Sequence, residues 1–362
     1  MSLKDDEFYM RRALALAEEG RGRTHPNPMV GCLIVKNGAV VGEGWHGSFG
    51  GPHAEAVALR RAGKRAQGAT LYVTLEPCRH WGQTPPCSDA VQRAGIKRVV
   101  AAMKDPNPVS GNGLDRLRRA GIRVETGVLR NEARFLNRAF VKRHETGLPY
   151  VLFKAGQTLD GKIASRSGVS RWITGPLARE LGHRLRAESD AILVGAHTVR
   201  KDNPRLTSHG KGPDPVRLVV SKSLDLPVSA KIFKGGAPTW VITGPTPPAG
   251  RKKRLEKAGI QLLTCPLKNG DINLMLILKL LAKMNINQIL LEGGGRLSGA
   301  LLDARLLDEV YLFLAPRLLG GRHAVPSVAG GGWPHPNSAP RLDNMTVSKV
   351  GGDILVHGFV KY

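Results

Sequence analysis

The run Thr70-Leu71-Tyr72-Val73-Thr74-Leu75-Glu76-Pro77-Cys78 reads as a strand, Thr70–Leu75, that stops at a proline and delivers a cysteine just past its end. Nine positions on, Cys87 stands immediately before a helical stretch, Ser88–Arg93. Upstream, Pro52-His53-Ala54-Glu55 opens another helix that continues through Val57, Ala58 and Leu59. Outward from these runs, Met10, Ala13, Leu14 and Ala17 carry helical spacing within Asp5–Glu19, and Gly20 and Gly22 end it. Strands Val30–Val35 and Ala39–Trp45 meet at Asn37-Gly38, a dipeptide suited to a tight hairpin. Strand Ile96–Ala102, helix Leu114–Ala120 and the extended run Ile122–Val128 complete the first part. Strands alternating with helices predict one sheet covered by helices.

The chain has 362 residues, enough for two to three domains, and 41% of them are hydrophobic, enough for real cores. Its net charge is +25, with 24 basic and 14 acidic residues up to Leu148 and 30 against 15 beyond. That dispersed positive field suits anionic small molecules or nucleic acid, and there is no cationic arm. The acidic Met1–Phe8 lacks a secretory pattern, and the apolar stretch Leu274–Met284 carries Lys279 and Lys283 and is too short to span a bilayer. Four cysteines do not make a secreted disulfide framework. A cytoplasmic protein without a membrane partner is expected, with Cys32 and Cys265 as buried structural thiols.

His53, Cys78 and Cys87 together offer one imidazole and two thiolates, which leave a tetrahedral zinc one open position, as in catalytic rather than structural sites. The helix starts predicted beside the cysteines favour the thiolate form. Water held there ionises near neutral pH, and Glu55, two residues past the histidine, can reach it without ligating the metal. His-x-Glu with Pro-Cys and a second Cys is the pattern of zinc-dependent nucleobase deaminases. A structural knot completed by His80, or two ordinary buried thiols, is the plainer alternative.

The run Thr24-His25-Pro26-Asn27-Pro28-Met29-Val30-Gly31, followed by His53-Ala54-Glu55, Glu76-Pro77-Cys78 and Thr84-Pro85-Pro86-Cys87, resembles the deaminase half of the bifunctional deaminase–reductase family of riboflavin biosynthesis. The resemblance implies a cytidine-deaminase-like α/β/α domain over residues 1–147. It implies that His53, Cys78 and Cys87 hold zinc, that Glu55 shuttles protons, and that Asn27 lines the pyrimidine pocket. An Asn-Pro turn explains Asn27 equally well from the residues alone.

Turn residues Glu145-Thr146-Gly147-Leu148-Pro149 mark a junction. Beyond it, strands recur at Tyr150–Ala155, Ala191–Val194, Val216–Val220, Trp240–Thr243, Ile260–Leu263, Ile289–Leu291, Val310–Leu314 and Ile354–Val360. Helices fit Leu177–Ala187, Arg251–Ala258, Asn273–Met284 and Leu297–Leu302, so a largely parallel sheet is expected. Strand Ile289–Leu291 runs through Glu292 into Gly293-Gly294-Gly295 and a helix. Such a turn can cradle a phosphate or serve simple geometry.

The motifs Lys154–Lys162, Ser170-Arg171-Trp172-Ile173-Thr174, Val194–Val199 and Asp202–Thr207 resemble the reductase half of the same family, so the likeness runs from Thr24 to the end. It implies a dihydrofolate-reductase-like α/β domain over 148–362 that uses NADPH and pairs with a second copy. Gly156, Trp172, Thr198, Asp202, Ser221 and the run Gly294, Gly295, Arg296, Leu297, Ser298, Gly299, Ala300 would contact NADPH. Ser170, Arg186, Leu206 and Glu292 would face a phosphorylated pyrimidine. His209 stands where many relatives carry an arginine for the substrate phosphate, with Arg205 and Lys211 nearby to supply charge. The rival reading is a nucleic-acid-editing deaminase, favoured by Arg251-Lys252-Lys253-Arg254. An aromatic content of 5% is sparse for base stacking, so no nucleic acid is expected.

Overall fold

The structure, a computed structural model, describes residues 3–81 and 85–362. The chain divides between Gly147 and Leu148 into two compact units.

The first unit contains α1 (Leu3–Glu18), β1 (Gly31–Lys36), β2 (Ala39–Trp45), α2 (Ala54–Ala62), β3 (Thr70–Val73), α3 (Cys87–Arg93), β4 (Arg98–Ala101), α4 (Gly113–Arg119), β5 (Arg123–Thr126), α5 (Arg130–Leu136) and α6 (Arg138–Thr146). The sheet order is β2-β1-β3-β4-β5. β1 runs antiparallel to β2 and β3, while β3, β4 and β5 are parallel. The β1–β2 hairpin closes at Asn37-Gly38, both in the left-handed region that this turn needs. Alternation on β3 sorts the layers: Leu71 and Val73 pack with Ala54, Ala58, Val91, Leu114 and Leu117 from α2, α3 and α4. Tyr72 points to the opposite face, with Met10, Ala13, Ala133 and Val141 from α1, α5 and α6.

Helices α5 and α6 are absent from the sequence reading, although Ala133, Leu136, Phe140 and Val141 carry helical spacing and are buried. The dense charge between them hides that stripe. Their junction matters, because Asn137 exchanges two 2.8 Å hydrogen bonds with the backbone of Met29 and so anchors the Asn27 loop.

The second unit contains β6 (Tyr150–Thr158), β7 (Lys162–Ala164), α7 (Pro176–Ala187), β8 (Ala191–Gly195), α8 (Ala196–Asp202), β9 (Val216–Val220), β10 (Thr239–Thr243), α9 (Ala249–Lys257), β11 (Gln261–Thr264), α10 (Leu274–Lys283), β12 (Gln288–Leu291), α11 (Gly295–Asp303), β13 (Glu309–Ala315), β14 (Arg341–Val350) and β15 (Asp353–Lys361), besides two-residue ladders and single 3₁₀ turns. Nine strands form one sheet ordered β11-β10-β9-β8-β12-β6-β13-β15-β14. The first seven are parallel, and an antiparallel hairpin, β14–β15, closes one edge. α10 and α11 cover one face, through Ile277, Leu281 and Leu301. α7, α8 and α9 cover the other, through Leu185, Val199 and Leu255. The chain therefore reverses direction across the sheet at β12, and crevices at the carboxyl ends of such strands are where ligands sit in open α/β sheets. Sequence reading missed β14, because that edge strand is exposed on both faces and lacks the alternation that marks a half-buried strand. Among the described residues no helix is long and apolar enough to cross a membrane.

One buried charge cluster ties the layers of the first unit. Asp6 of α1 accepts from both terminal nitrogens of Arg98 at 2.8 and 2.6 Å and from the Tyr72 hydroxyl at 2.7 Å, while Arg98 also holds Glu125. Burial opposes ionisation of Asp6, but the Arg98 and Tyr72 hydrogen bonds outweigh it and hold the carboxyl below its ordinary value. Its contribution to stability is therefore full above the unfolded carboxyl value and fades as pH falls through the folded one. Asp6→Ala is expected to cost about 3 kcal/mol at pH 7, by leaving a buried cation short of its partner. Urea unfolding at pH 7 and pH 3 should show the gap to the parent narrowing in acid.

Candidate active sites

Two helix starts and one loop bring the predicted metal-binding residues together. His53 caps α2, Cys87 is the first residue of α3, and Cys78 follows β3 in a loop. Their ligand atoms lie within 4.8 Å of one another. His53 Nδ1 is 3.1 Å from Cys87 Sγ and 3.6 Å from Cys78 Sγ, and the Cys87 N–H donates to Cys78 Sγ at 3.4 Å. Hydrogen bonds from the Cys87 thiol and the His53 ring outweigh burial and pull the Cys78 thiol down to about 4. Donation to Cys78, together with burial, pushes Cys87 up. One imidazole and two sulfurs form a donor set that fits zinc. His80 lines the adjoining cavity but is not among the converging ligands, which weighs against a closed structural knot.

Glu55 lies in the first turn of α2 and is almost wholly buried. Burial raises its carboxyl to about 7, against the pull of His53. It faces a cavity of about 240 Å³ whose lining includes Asn27, His46, Phe49, Glu76, Asp105 and Phe140. His46 Nδ1 donates to the Pro52 carbonyl at 3.0 Å, so its Nε2 accepts from the Asn27 amide at 3.1 Å. Burial keeps His46 low and neutral, consistent with that acceptor role. Asn27 Oδ1 is thereby left for a donor in the cavity. Nothing in the sequence singled out His46, which stands alone between Trp45 and Gly47.

Glu76 is buried and holds the rim. Its Oε1 accepts from Leu114 N and its Oε2 from Asp105 N, both at 3.0 Å. Gly113 completes the arrangement, because a Cβ there would stand 1.8 Å from the Pro77 carbonyl oxygen. α4 thus begins directly against the Cys78 segment. Burial, with Glu76 and Cys78 nearby, raises Asp105 to about 7.

In the second unit, Glu292 follows β12, and Arg186 of α7 grips it with two hydrogen bonds of 2.9 and 2.8 Å. Lys154 lies 4.0 Å away. Burial alone would raise Glu292, but Arg186 and Lys154 bring it down to about 2. Arg186 also donates to the Thr207 carbonyl at 3.0 Å, which fixes the Leu206–His209 loop. The His209 ring stacks on His183 with centroids 4.0 Å apart. Burial, Arg186 and His209 depress His183 to about 4. Lys211 is engaged with Glu180 at 2.8 Å, and Arg205 is exposed.

Ser170 donates to Asp202 Oδ1 at 3.1 Å, so these two predicted residues are neighbours. Trp172 is exposed, with the Arg179 guanidinium 4.3 Å over its ring. Gly156 packs on Thr174, and Gly294 lies beside Thr198 Oγ1. Ser221 is buried at the end of β9, on a pocket it shares with Ala196, Arg200 and Lys222. Within the glycine-rich run, Gly295 and Gly299 serve packing: a Cβ at Gly299 would stand 1.1 Å from the Ala329 carbonyl oxygen, and one at Gly295 2.4 Å from that of Pro326. Ser298 is fully buried and donates to the Ser327 carbonyl. Gly294, Arg296 and Ala300 keep open faces, and Leu297 is half-buried.

A metal-ready His/Cys/Cys site beside a buried carboxyl, on the β2-β1-β3-β4-β5 sheet, is the arrangement of a zinc-dependent deaminase, and a largely parallel α/β unit follows it in the chain. Residues 3–103 match the cytidine and deoxycytidylate deaminase zinc-binding region, and residues 149–356 match the RibD C-terminal domain. The riboflavin biosynthesis protein RibD of Escherichia coli K12 is 43% identical, covering 97% of this chain and 98% of that protein. The Bacillus amyloliquefaciens protein of the same name is 42% identical over 96% and 95%. The solved Acinetobacter baumannii RibD has a TM-score of 0.91 at 37% identity, covering both chains fully. The Thermotoga maritima diaminohydroxyphosphoribosylaminopyrimidine deaminase/5-amino-6-(5-phosphoribosylamino)uracil reductase gives 0.86 at 36%, covering 99% of each. The chain belongs to the RibD family. It is a bifunctional deaminase and reductase of riboflavin biosynthesis, with zinc and NADPH as its cofactors.

Because Cys78 and Cys87 belong to the first unit alone, Cys87→Ser should lower zinc content, read by elemental mass spectrometry, and leave NADPH affinity within about twofold of the parent.

Proposed function

We propose that residues 1–147 are the deaminase and residues 148–362 the reductase, acting in turn on one phosphorylated pyrimidine. The first reaction hydrolyses the ring amine of 2,5-diamino-6-ribosylamino-4(3H)-pyrimidinone 5′-phosphate and releases ammonia. The second reduces the ribosyl side chain to ribityl. The observation that carries this reading is the convergence of His53, Cys78 and Cys87 beside Glu55 at one cavity.

His53, Cys78 and Cys87 would hold zinc, which when bound supplies an activated water near neutral pH. Glu55, raised to about 7, would pass one proton from that water to the ring nitrogen and a second, from the hydroxyl added at carbon, to the amine, which leaves as ammonia. Asn27, turned by His46, offers its carbonyl oxygen to a ring N–H, and Phe49 and Phe140 give the ring apolar walls. Glu76 positions this site from behind.

NADPH, when bound, supplies the hydride. Gly156, Trp172, Thr198, Asp202, Ser221 and Gly294 would line its place, with Arg296, Leu297 and Ala300 along the start of α11. Gly295, Ser298 and Gly299 support that wall by packing on residues 326–330. Arg186 and Glu292 neutralise each other and present a fixed polar edge to the substrate, beside Ser170, Leu206 and His209. Small anionic ligands account for a positive surface without nucleic acid, and Arg251 and Arg254 are occupied on α9 with the carbonyls of Ser223 and Leu226. Four buried free thiols fit a reducing cytoplasm. The exposed Met345 and Val347 of edge strand β14 support pairing with a second copy through the reductase unit.

Mass spectrometry of products from the zinc-loaded protein tests the assignment. The deaminated compound should form without NADPH and the ribityl compound only with it; absence of both would overturn it. Glu55→Ala should retain zinc and lose deamination by roughly 10²–10⁴-fold, with reduction of supplied deaminated intermediate intact.

His209 carries its own test. An imidazole offers a phosphate fewer donors than a guanidinium, and the neighbouring His183 stays neutral. His209→Arg is therefore expected to lower reductase KM for the phosphorylated substrate severalfold with little change in kcat, read by steady-state kinetics. A KM unchanged in His209→Arg would exclude the role.

A further inference from the structure

The deaminase cavity is lined by the carboxyls of Glu55, Glu76 and Asp105 and by no lysine or arginine among the described residues. No fixed positive charge inside meets a phosphate, whereas the mouth offers several. A second, open groove of about 510 Å³ adjoins the cavity there and shares His80 with it. Arg79, Arg116 and Arg119 line this groove, together with Val109 and Asn112.

The fold builds the cluster. Arg79 follows the ligand Cys78 directly, and its N–H donates to the Ser110 carbonyl at 3.2 Å, tying that loop to the segment before α4. Gly113 sets the start of α4 on Pro77, so Arg116 and Arg119, three residues apart on one helix face, stand next to the site. Arg116 is paired with Asp89 at 2.7 Å. Arg79 and Arg119 have no carboxylate partner among the described residues, and Arg118, which points elsewhere, is satisfied by Asp115. Two unpaired guanidiniums and a third held in place, beside a cavity that no lysine or arginine lines, make a site for a dianion. Arginine forks match phosphate oxygens in geometry as well as charge.

We propose that Arg79, Arg116 and Arg119 form the subsite that binds the 5′-phosphate of the deaminase substrate. This rests on the reading of that substrate as a phosphorylated pyrimidine. The groove, rather than the cavity, then decides that the enzyme takes the nucleotide and not the free nucleoside, while the chemistry at Glu55 is common to both.

The test compares deamination of the 5′-phosphate with that of the dephosphorylated compound, for the parent and for Arg79→Ala, Arg119→Ala and the double variant. The parent should prefer the phosphorylated compound. Each single variant should lose roughly tenfold of that preference, the equivalent of one charge-assisted contact, through KM rather than kcat. Arg119→Lys should recover part of it. Zinc content and reductase turnover of the same preparations report an intact protein. A preference unchanged in the double variant overturns the subsite while leaving the deaminase reading in place. A zinc-loaded parent that deaminates neither compound overturns that reading, and the subsite with it.

Discussion

The side chain of Glu76 spends both carboxylate oxygens on backbone N–H groups, those of Asp105 and Leu114. Three pieces of chain that share no regular structure are thereby held to one another: the end of the strand that leads to Cys78, the loop carrying Asp105, and the first turn of α4. A buried carboxylate that accepts from backbone donors is costly to disturb, because its loss strands the donors as well as removing the charge. The Gly113 contact on Pro77 tightens the same joint from the other side. Residues that would hold a metal must be fixed to a few tenths of an ångström; His53 and Cys87 are fixed by helix starts, and Cys78, on a loop, by this hydrogen-bonded joint.

The second unit solves the equivalent problem with a salt bridge. Arg186 and Glu292 are brought together from α7 and the end of β12, at the strand where the sheet changes direction, and the pair is fully hydrogen-bonded. Arg186 then reaches on to Thr207 and orders the loop that carries His209. Behind this edge, Gly295 and Gly299 let residues 326–330 lie directly on α11. Both units use glycine where backbone meets backbone.

The two halves differ in how much of their chemistry could be read beforehand. In the deaminase unit, ligand residues lie in short motifs at helix starts, so His53, Glu55, Cys78 and Cys87 stood out as residue types in a recognisable pattern. His46, Asp105 and the clamp made by Glu76 had no such signal, because each acts through a neighbour far away in sequence. In the reductase unit the glycine-rich run announced a strand-to-helix turn. Only the packed structure shows that two of its glycines face protein backbone. α5 and α6 escaped notice because charge crowds their apolar stripe, and β14 because an exposed edge strand has no buried face to impose alternation.

What the sequence determined by itself was the type of each layer and the candidate set of metal-binding residues. Those depend on local periodicity, turn residues and functional groups, all of which are written along the chain. The tertiary structure alone decided which groups became partners: Asn27 with His46, Arg186 with Glu292, His183 with His209, and the arginines of α4 with the loop after Cys78. It also decided which carboxyls stay ionised, Glu292 beside its cations, and which are pushed toward neutrality, Glu55 and Asp105 in their buried cavity. The reason is physical: burial and the electrostatic field at a point are sums over neighbours that only folding brings together.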